Sequence, residues 1–242
     1  MVGFIRCTIT IKFYKLLLLS LFMLAIPCNV VGQSSELKAV KLNRPNLKRG
    51  LSFMETLSVK ASARKWSDRD LSLQDLSDLL WAANGINRPD ERKYTASSAQ
   101  NAHDVDLYLF MKDGVYLYNS DRHALEPVIP GDFRSQIMMK PPHKPKNISE
   151  KPKRPQPVSS TPPIQIILIS DSSRFKMGPQ ELRYEWGAID TGIVSQNISL
   201  FCAATGIKTR PRASMDKEKI KKLLKLDDNQ YVLLNHPVGY SK

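Results

Sequence analysis

Three short polar segments of this 242-residue sequence combine residue types that can bind an anion or a planar ligand. In the first, Lys60-Ala61-Ser62-Ala63-Arg64, two cations flank a hydroxyl. At a helix end or a turn, Lys60, Ser62 and Arg64 can converge on one phosphate, with backbone N–H groups as further donors. The alternative is that the cations only complement a helix dipole.

The other two segments are a polar stretch and a cationic loop. Residues 94–101 are small and polar and precede a predicted strand, so the backbone could approach a planar ligand while Ser and Asn side chains bond its edge. Residues 206–213 carry Lys208, Arg210 and Arg212 and could hold an anion. An ordinary surface turn and a solvated loop are the respective alternatives.

Taken together, the order and spacing of these segments resemble the flavin-dependent nitroreductase family. The first resembles the Arg-x-Ser-x-Arg/Lys phosphate motif that opens the family, with Lys60 where Arg is usual. Residues 79–86 (LLWAANGI) followed by 95–101 (TASSAQN) resemble its second flavin segment. The match covers about residues 52–139 and 164–242 and is most similar to the branch related to thiazole/oxazole-forming dehydrogenases.

The resemblance implies an intertwined homodimer with FMN at the subunit interface, each site built from both chains. It implies that the first segment holds the phosphate and ribityl chain, that Arg64 also faces the N1/O2 edge of the ring, and that residues 97–101 of the partner line the pyrimidine side. The loop 210–214 would cover another face of the ring. The implied cofactor-binding residues are Lys60, Ala61, Ser62, Arg64, Ser97, Ser98, Gln100, Asn101, Arg210, Ala213 and Ser214.

The implied reaction passes a hydride or electrons from a donor, NAD(P)H or another redox carrier, through FMN to a small organic acceptor. Because the flavin supplies the chemistry, no side chain is assigned a catalytic role. Two other functions stay open. The chain could be a redox-inactive relative that only binds ligand, or a basic protein that contacts a polyanion or the cell envelope.

The last alternative depends on a Pro/Lys-rich loop at residues 140–163. It holds eight of the sixteen prolines and six Lys or Arg against one acid, which is typical of an extended, solvated segment. The loop carries a net charge of +5, half of the +10 that would remain of the formal +13 after removal of residues 1–32. This charge is not spread over a folded face with interleaved aromatics, so no nucleic-acid partner is expected. The hydrophobic content of 42% excludes a wholly disordered chain.

Hydrophobic periodicity predicts four helices and at least five strands. The helices are expected at 51–61, at 72–83 with Ser72 as N-cap and Gly85 as the residue beyond the end, from Gly178 to about Ala204 with Gly206 ending it, and at 216–226. The strands are expected at 105–111, 115–118, 125–129, 164–169 and 231–234. The Asp113-Gly114 pair predicts a hairpin, and the run 164–169 predicts a buried central strand. This mixed order indicates an α+β fold with helices flanking a mostly antiparallel central sheet.

The N-terminus has the features of an export signal. Lys12 and Lys15 precede the apolar run 16–26, and small residues stand before Gln33. This pattern predicts a signal peptide over residues 1–32 and export to the periplasm or beyond, with a retained anchor as the alternative. A polar N-terminal arm would follow at 33–50, and the FMN-binding domain would span 51–242, interrupted at 140–163.

The cysteines and histidines of the sequence argue against an internal disulfide and against a metal site. Removal of residues 1–32 would leave Cys202 as the only cysteine, so no internal disulfide can form. The four histidines show no metal-ligand spacing, and no metal site is expected. Cys202 falls on the apolar face of the long predicted helix and is expected to be buried and inert.

Overall fold

A computed structural model describes residues 36–138 and 161–241. The predicted signal peptide lies outside the described residues, as does all of the Pro/Lys-rich loop except its last three residues.

The described chain is built on a seven-stranded antiparallel sheet. Its strands are β1 (Val40–Lys41), β4 (Val105–Phe110), β5 (Gly114–Asn119), β6 (Ala124–Pro130), β7 (Ile164–Asp171), β8 (Lys208–Thr209) and β9 (Gln230–Gly239). They lie in the order β1-β6-β5-β4-β7-β9-β8. Two further strands, β2 (Ile86–Arg88) and β3 (Lys93–Tyr94), form a separate ribbon. The predicted α+β class with a mostly antiparallel sheet is confirmed.

Strand β7 is the buried central strand that its apolar run predicts. It pairs with β4 on one side and β9 on the other. Successive residues alternate between two apolar cores, Ile166 and Leu168 on one face and Ile167 and Ile169 on the other. A continuous apolar run is therefore required because both faces of this strand are covered.

Four helices cover the sheet: α1 (Phe53–Val59), α2 (Leu73–Asn84), α3 (Gln180–Thr205) and α4 (Lys217–Leu224). Helices α2 and α3 pack on one face and α4 on the other. Ser72 caps α2 as predicted, its Oγ accepting the Asp75 N–H at 3.1 Å, and Gly206 ends α3 with a φ of 77°. Within the described ranges, none of these helices has both the length and the apolar character needed to cross a bilayer.

Gly85 ends α2 for a different reason from the one predicted. Its φ is −87°, so it is not in the left-handed conformation expected of a residue beyond a helix end. A Cβ at this position would lie 2.6 Å from the Trp81 ring. Glycine is needed here because the chain passes close to Trp81.

Residues 36–50, predicted only as a polar arm, are bound to the folded domain. Strand β1 pairs with β6 at the edge of the sheet. Arg49 forms ion pairs with Asp75 at 2.6 Å and Asp78 at 2.8 Å, both on α2. Apolar periodicity could not predict these contacts because they are polar and join distant parts of the sequence.

The first half of α3 packs very closely on β7. Gly187 is buried, and a Cβ there would fall inside the van der Waals distance of the Ser170 hydroxyl and 2.9 Å from Ser170 Cβ. The structure places it in the core of the subunit.

We therefore expect Gly187→Ala to lower the free energy of unfolding by about 1–3 kcal/mol, because the added methyl overpacks the junction of α3 and β7. This loss outweighs the gain in helix propensity of about 1 kcal/mol. Urea unfolding at fixed protein concentration measures it. In a Ser170→Ala background the cost should be smaller, because the closest clashing atom is gone. Equal costs in the two backgrounds would show that the clash is not the cause.

Candidate functional site

A cleft of about 740 Å³ lies between the first polar segment and the C-terminal half of α3. Residues 61–65 form one wall, while Ser199 and Cys202 of α3 and residues 206–209 complete it. Ala63 N–H donates to the Thr209 carbonyl at 2.9 Å, which fixes the segment against β8. Of the three functional side chains, only Lys60 stands at a helix end, where it caps α1. Ser62 and Arg64 are exposed on non-helical chain beside the cleft.

The third polar segment continues from β8 directly beyond this cleft. Arg212 exchanges two backbone hydrogen bonds with Asn235, at 2.9 and 2.8 Å, and its Nη2 donates to Gln165 Oε1 at 3.1 Å. Burial, and then the neighbouring charge of Arg210, lower the pKa of Arg212 to about 10. Ala213 and Ser214 follow as exposed residues.

Arg210 and Arg212 together form a partly buried cationic pair. The Nε of each arginine is buried and has no hydrogen-bond partner among the described residues. Two adjacent cations repel each other, and an anion between them would relieve this repulsion. This pair is the feature of the cleft region that most directly fits a phosphate.

His236 shows that the first and third segments lie close together. Its ring is buried, 2.8 Å from Ser195 Oγ and 3.2 Å from Thr209 Oγ1. Burial, and then the charges of Arg212 and Lys60, together lower its pKa to about 3. The ring is therefore neutral, and it is a structural residue that adds no charge to the cleft.

Cys202 lines the cleft from α3 but is almost completely buried. Burial raises the pKa of its thiol well above the ordinary value. The thiolate is therefore not formed near neutral pH, and the prediction of a buried cysteine is confirmed.

The second polar segment lies elsewhere on the subunit. Ser97, Ser98 and Asn101 line a smaller polar pocket of about 280 Å³. Gln100 does not line it, because its Oε1 accepts the backbone N–H groups of Lys176, at 2.9 Å, and Met177, at 3.3 Å. Lys93 also lines this pocket, and its Nζ donates to Asn101 Oδ1 at 2.8 Å.

Helix α3 gives the separation between the two regions. Ala99 N–H donates to Asp190 Oδ2 at 2.8 Å, whereas the cleft contacts Ser199 and Cys202. These positions are nine and twelve residues further along, or about 14–18 Å along the helix axis. One subunit thus brings the first and third segments together and keeps the second apart.

Two features of the site region were not predicted. The first is the burial of the Arg212 Nε without a partner among the described residues. In the sequence, Arg212 is only another cation in a basic loop. The second is a buried carboxyl pair formed by Asp104 and Asp190, which are 0% and 3% exposed. The available signals were weak: Asp104 directly precedes a buried strand, and Asp190 lies among the small and apolar residues of α3.

Comparison with known proteins gives consistent results. Residues 58–240 match the sequence profile of the nitroreductase family. A protein of Methanocaldococcus jannaschii named as a nitroreductase is 24% identical over 192 residues, which cover 76% of this chain and 89% of that protein.

Solved structures share the fold. A Ralstonia eutropha protein described as a nitroreductase superposes with a TM-score of 0.73 at 25% identity, covering 88% of this chain and 92% of its own. A chain of the Escherichia coli microcin synthetase McbBCD complex is similar in fold, with a TM-score of 0.59 at 16% identity and coverage of 90% and 83%. The resemblance drawn from the sequence motifs is confirmed, and this chain belongs to the nitroreductase family.

Proposed function

We propose that this protein is an FMN-dependent oxidoreductase that passes a hydride or electrons from a donor to a small organic acceptor. Membership of the nitroreductase family supports a flavin oxidoreductase in general. The observation that carries the proposal for FMN is the cationic pair Arg210 and Arg212, whose buried Nε atoms have no partner within the described ranges and which lie beside the first polar segment.

The cleft fits such a cofactor in size and charge. Its volume of about 740 Å³ is within the usual range for pockets that bind small molecules. Ser62 in the cleft wall, with Lys60, Arg210 and Arg212 beside the cleft, would hold the phosphate, and Arg64 would lie toward the ring. This moves Arg210 from the ring face implied by the resemblance to the phosphate. When bound, FMN supplies the hydride and electron transfer.

The protein's own contribution is electrostatic and positional. Lys60 and Arg212 already act on the same buried ring of His236, so their charges add in one region. His236 stays neutral near neutral pH, so it neither offsets nor adds to the positive charge of these cations. A phosphate bound here neutralises charges that otherwise repel one another.

The double variant Lys60→Ala/Arg64→Ala should weaken FMN binding at least 30-fold, or about 2 kcal/mol, because two charged contacts to the flavin nucleotide are lost. Quenching of flavin fluorescence measures the dissociation constant. Lys219→Ala/Lys222→Ala, which removes the same charge from the surface of α4, is the matched control and should bind FMN like the wild type. Equal affinity in both double variants would exclude the first segment as the phosphate site.

We further propose that the active form is a homodimer. Helix α1 exposes Phe53, Met54, Leu57 and Val59, with Phe53 65% and Met54 72% exposed. Such a cluster is unusual on a monomer surface and typical of an interface. A partner covering α1 could also bring its residues 97–101 to the cleft. One subunit alone keeps that segment about 14–18 Å away along α3, the length of nine to twelve helical residues.

Phe53→Glu/Met54→Glu should convert a dimer into a monomer that no longer retains FMN. The reason is the large free-energy cost of burying two unpaired carboxylates in an apolar interface. Light scattering after size exclusion gives the mass, and absorbance gives the flavin content. Val128→Glu, a similar change at an exposed position of β6, should stay dimeric and yellow. A wild-type monomer that retains FMN would contradict the two-chain site.

Export of the protein through residues 1–32 is proposed on the basis of the basic and apolar pattern that these residues carry. Intact-mass measurement of the protein recovered outside the cytoplasm should give a chain that begins at Gln33. A mass that includes residues 1–32 would instead support a retained anchor. An exported enzyme would take its electrons from a redox carrier available outside the cytoplasm.

A further inference from the structure

Asp104 and Asp190 form a carboxyl pair between the sheet and α3, where both line the same small buried cavity. Asp104 lies just before β4, and Asp190 lies on α3. Both are almost completely buried. Two carboxylates this close cannot both be ionised without a large cost, so the pair holds one proton.

The hydrogen bonds around the pair place this proton on Asp104. Asp190 Oδ2 accepts the Ala99 N–H at 2.8 Å, and Asp104 Oδ2 accepts the Ser170 hydroxyl at 2.5 Å. Asp104 Oδ1 is buried and has no hydrogen-bond partner in the described part of the chain, so it is the oxygen left to carry the proton shared with Asp190. Burial, and then the neighbouring Asp190, raise the pKa of Asp104 to about 7.

The loop that Asp190 binds needs such a restraint. Gln100, Asn101 and His103 have φ angles of 55°, 57° and 49°, in the left-handed region that non-glycine residues seldom adopt. Such backbone strain persists only where surrounding contacts hold it. Here these contacts are Asp190 to Ala99, the Gln100 side chain to residues 176–177, and Ser98 Oγ to the His103 N–H.

We propose that the proton shared by Asp104 and Asp190 holds the loop 97–101 on α3, and that its loss loosens this loop and weakens FMN binding. The inference rests on the proposed function, because this loop is the segment proposed to reach FMN in the partner subunit. Asp104 and Asp190 are positioning residues, since they act through Ala99.

The charged groups around the pair do not compensate a second negative charge. Arg174, in the turn after β7, already pairs with Asp106 at 2.6 Å and Asp171 at 3.3 Å. His103, on the loop itself, is stacked on Tyr94, and burial with nearby cations lowers its pKa. From α2, the residue facing this region is the neutral Asn84.

The direction of the pH effect follows from the proton balance. The pKa of Asp104 is 3.8 when unperturbed and about 7 in the fold, so the folded state binds more protons between these values. The contribution of this group to folding stability is therefore complete below about pH 4 and is lost as the pH rises to about 7. Above that pH both carboxylates are charged, and Asp190 is repelled from its position under Ala99.

The first test compares FMN dissociation constants at pH 6.5 and 8.5. In the wild type, FMN binding should weaken about tenfold over this range, since loss of the proton depopulates the binding-competent loop. In Asp104→Asn the weakening should stay below about twofold, because the amide donates to Asp190 at every pH. Asp228→Asn, an exposed turn residue, is the matched control and should follow the wild type. The FMN phosphate titrates in the same way with all three proteins. A difference in pH dependence between them therefore reports only on the carboxyl pair.

The second test needs no flavin. Hydrogen exchange of the peptide containing Ala99 should show a protection factor that falls from pH 6.5 to 8.5 in the wild type and stays constant in Asp104→Asn. Ser170→Ala removes the hydrogen bond that stabilises ionised Asp104, so the fall should move to higher pH. This variant also provides the test if Asp104→Asn does not fold.

The two measurements separate the two proposals. If FMN binds but wild type and Asp104→Asn show the same pH ratio, and protection of the loop does not differ, the inference is overturned and the proposed function stands. If no variant binds FMN at either pH, the proposed function fails and the exchange measurement alone decides the role of the pair.

Discussion

The close packing of α3 on β7 sets the positions of both halves of the candidate site. At Gly187 the helix lies so near Ser170 that no side chain fits between them. Three residues further along, Asp190 binds the loop of the second polar segment, and the far end of the same helix lines the cleft at Ser199 and Cys202. A rigid helix of 26 residues therefore determines how far apart the two halves lie in one subunit.

The subunit deals with buried charge in two different ways. In the carboxyl pair, a retained proton removes one negative charge, and hydrogen bonds satisfy the other carboxylate. At Arg210 and Arg212 no proton can be released near neutral pH, because arginine stays charged there. An anion between the two cations would relieve their repulsion, and this is why we propose the arginine pair as the binding site of a ligand phosphate.

Sequence patterns predicted the parts of the fold that depend on local or periodic signals. Strand β7 and helix α2 were predicted because a continuous apolar run and a capped amphipathic period are each visible over a few residues. The pairing of Ala63 with Thr209 was not predicted, since it joins residues far apart in the sequence and involves only backbone atoms. The resemblance implied that residues 97–101 reach the site from the partner subunit, and within one subunit the structure keeps this segment away from the cleft. Membership of these segments in one site stays a prediction.

The exposed face of α1 links the cleft to the surface that the proposed dimer would bury. Val59 ends α1, lines the cleft and is 53% exposed. Leu51, just before the helix, also lines the cleft, and its N–H donates to the Ala204 carbonyl at the end of α3. Covering α1 with a partner would therefore close one side of the cleft in the same step. In that arrangement FMN binds the dimer more tightly than the monomer. By linkage, FMN then strengthens dimer association to the same extent. FMN binding and dimer formation are therefore a single coupled equilibrium.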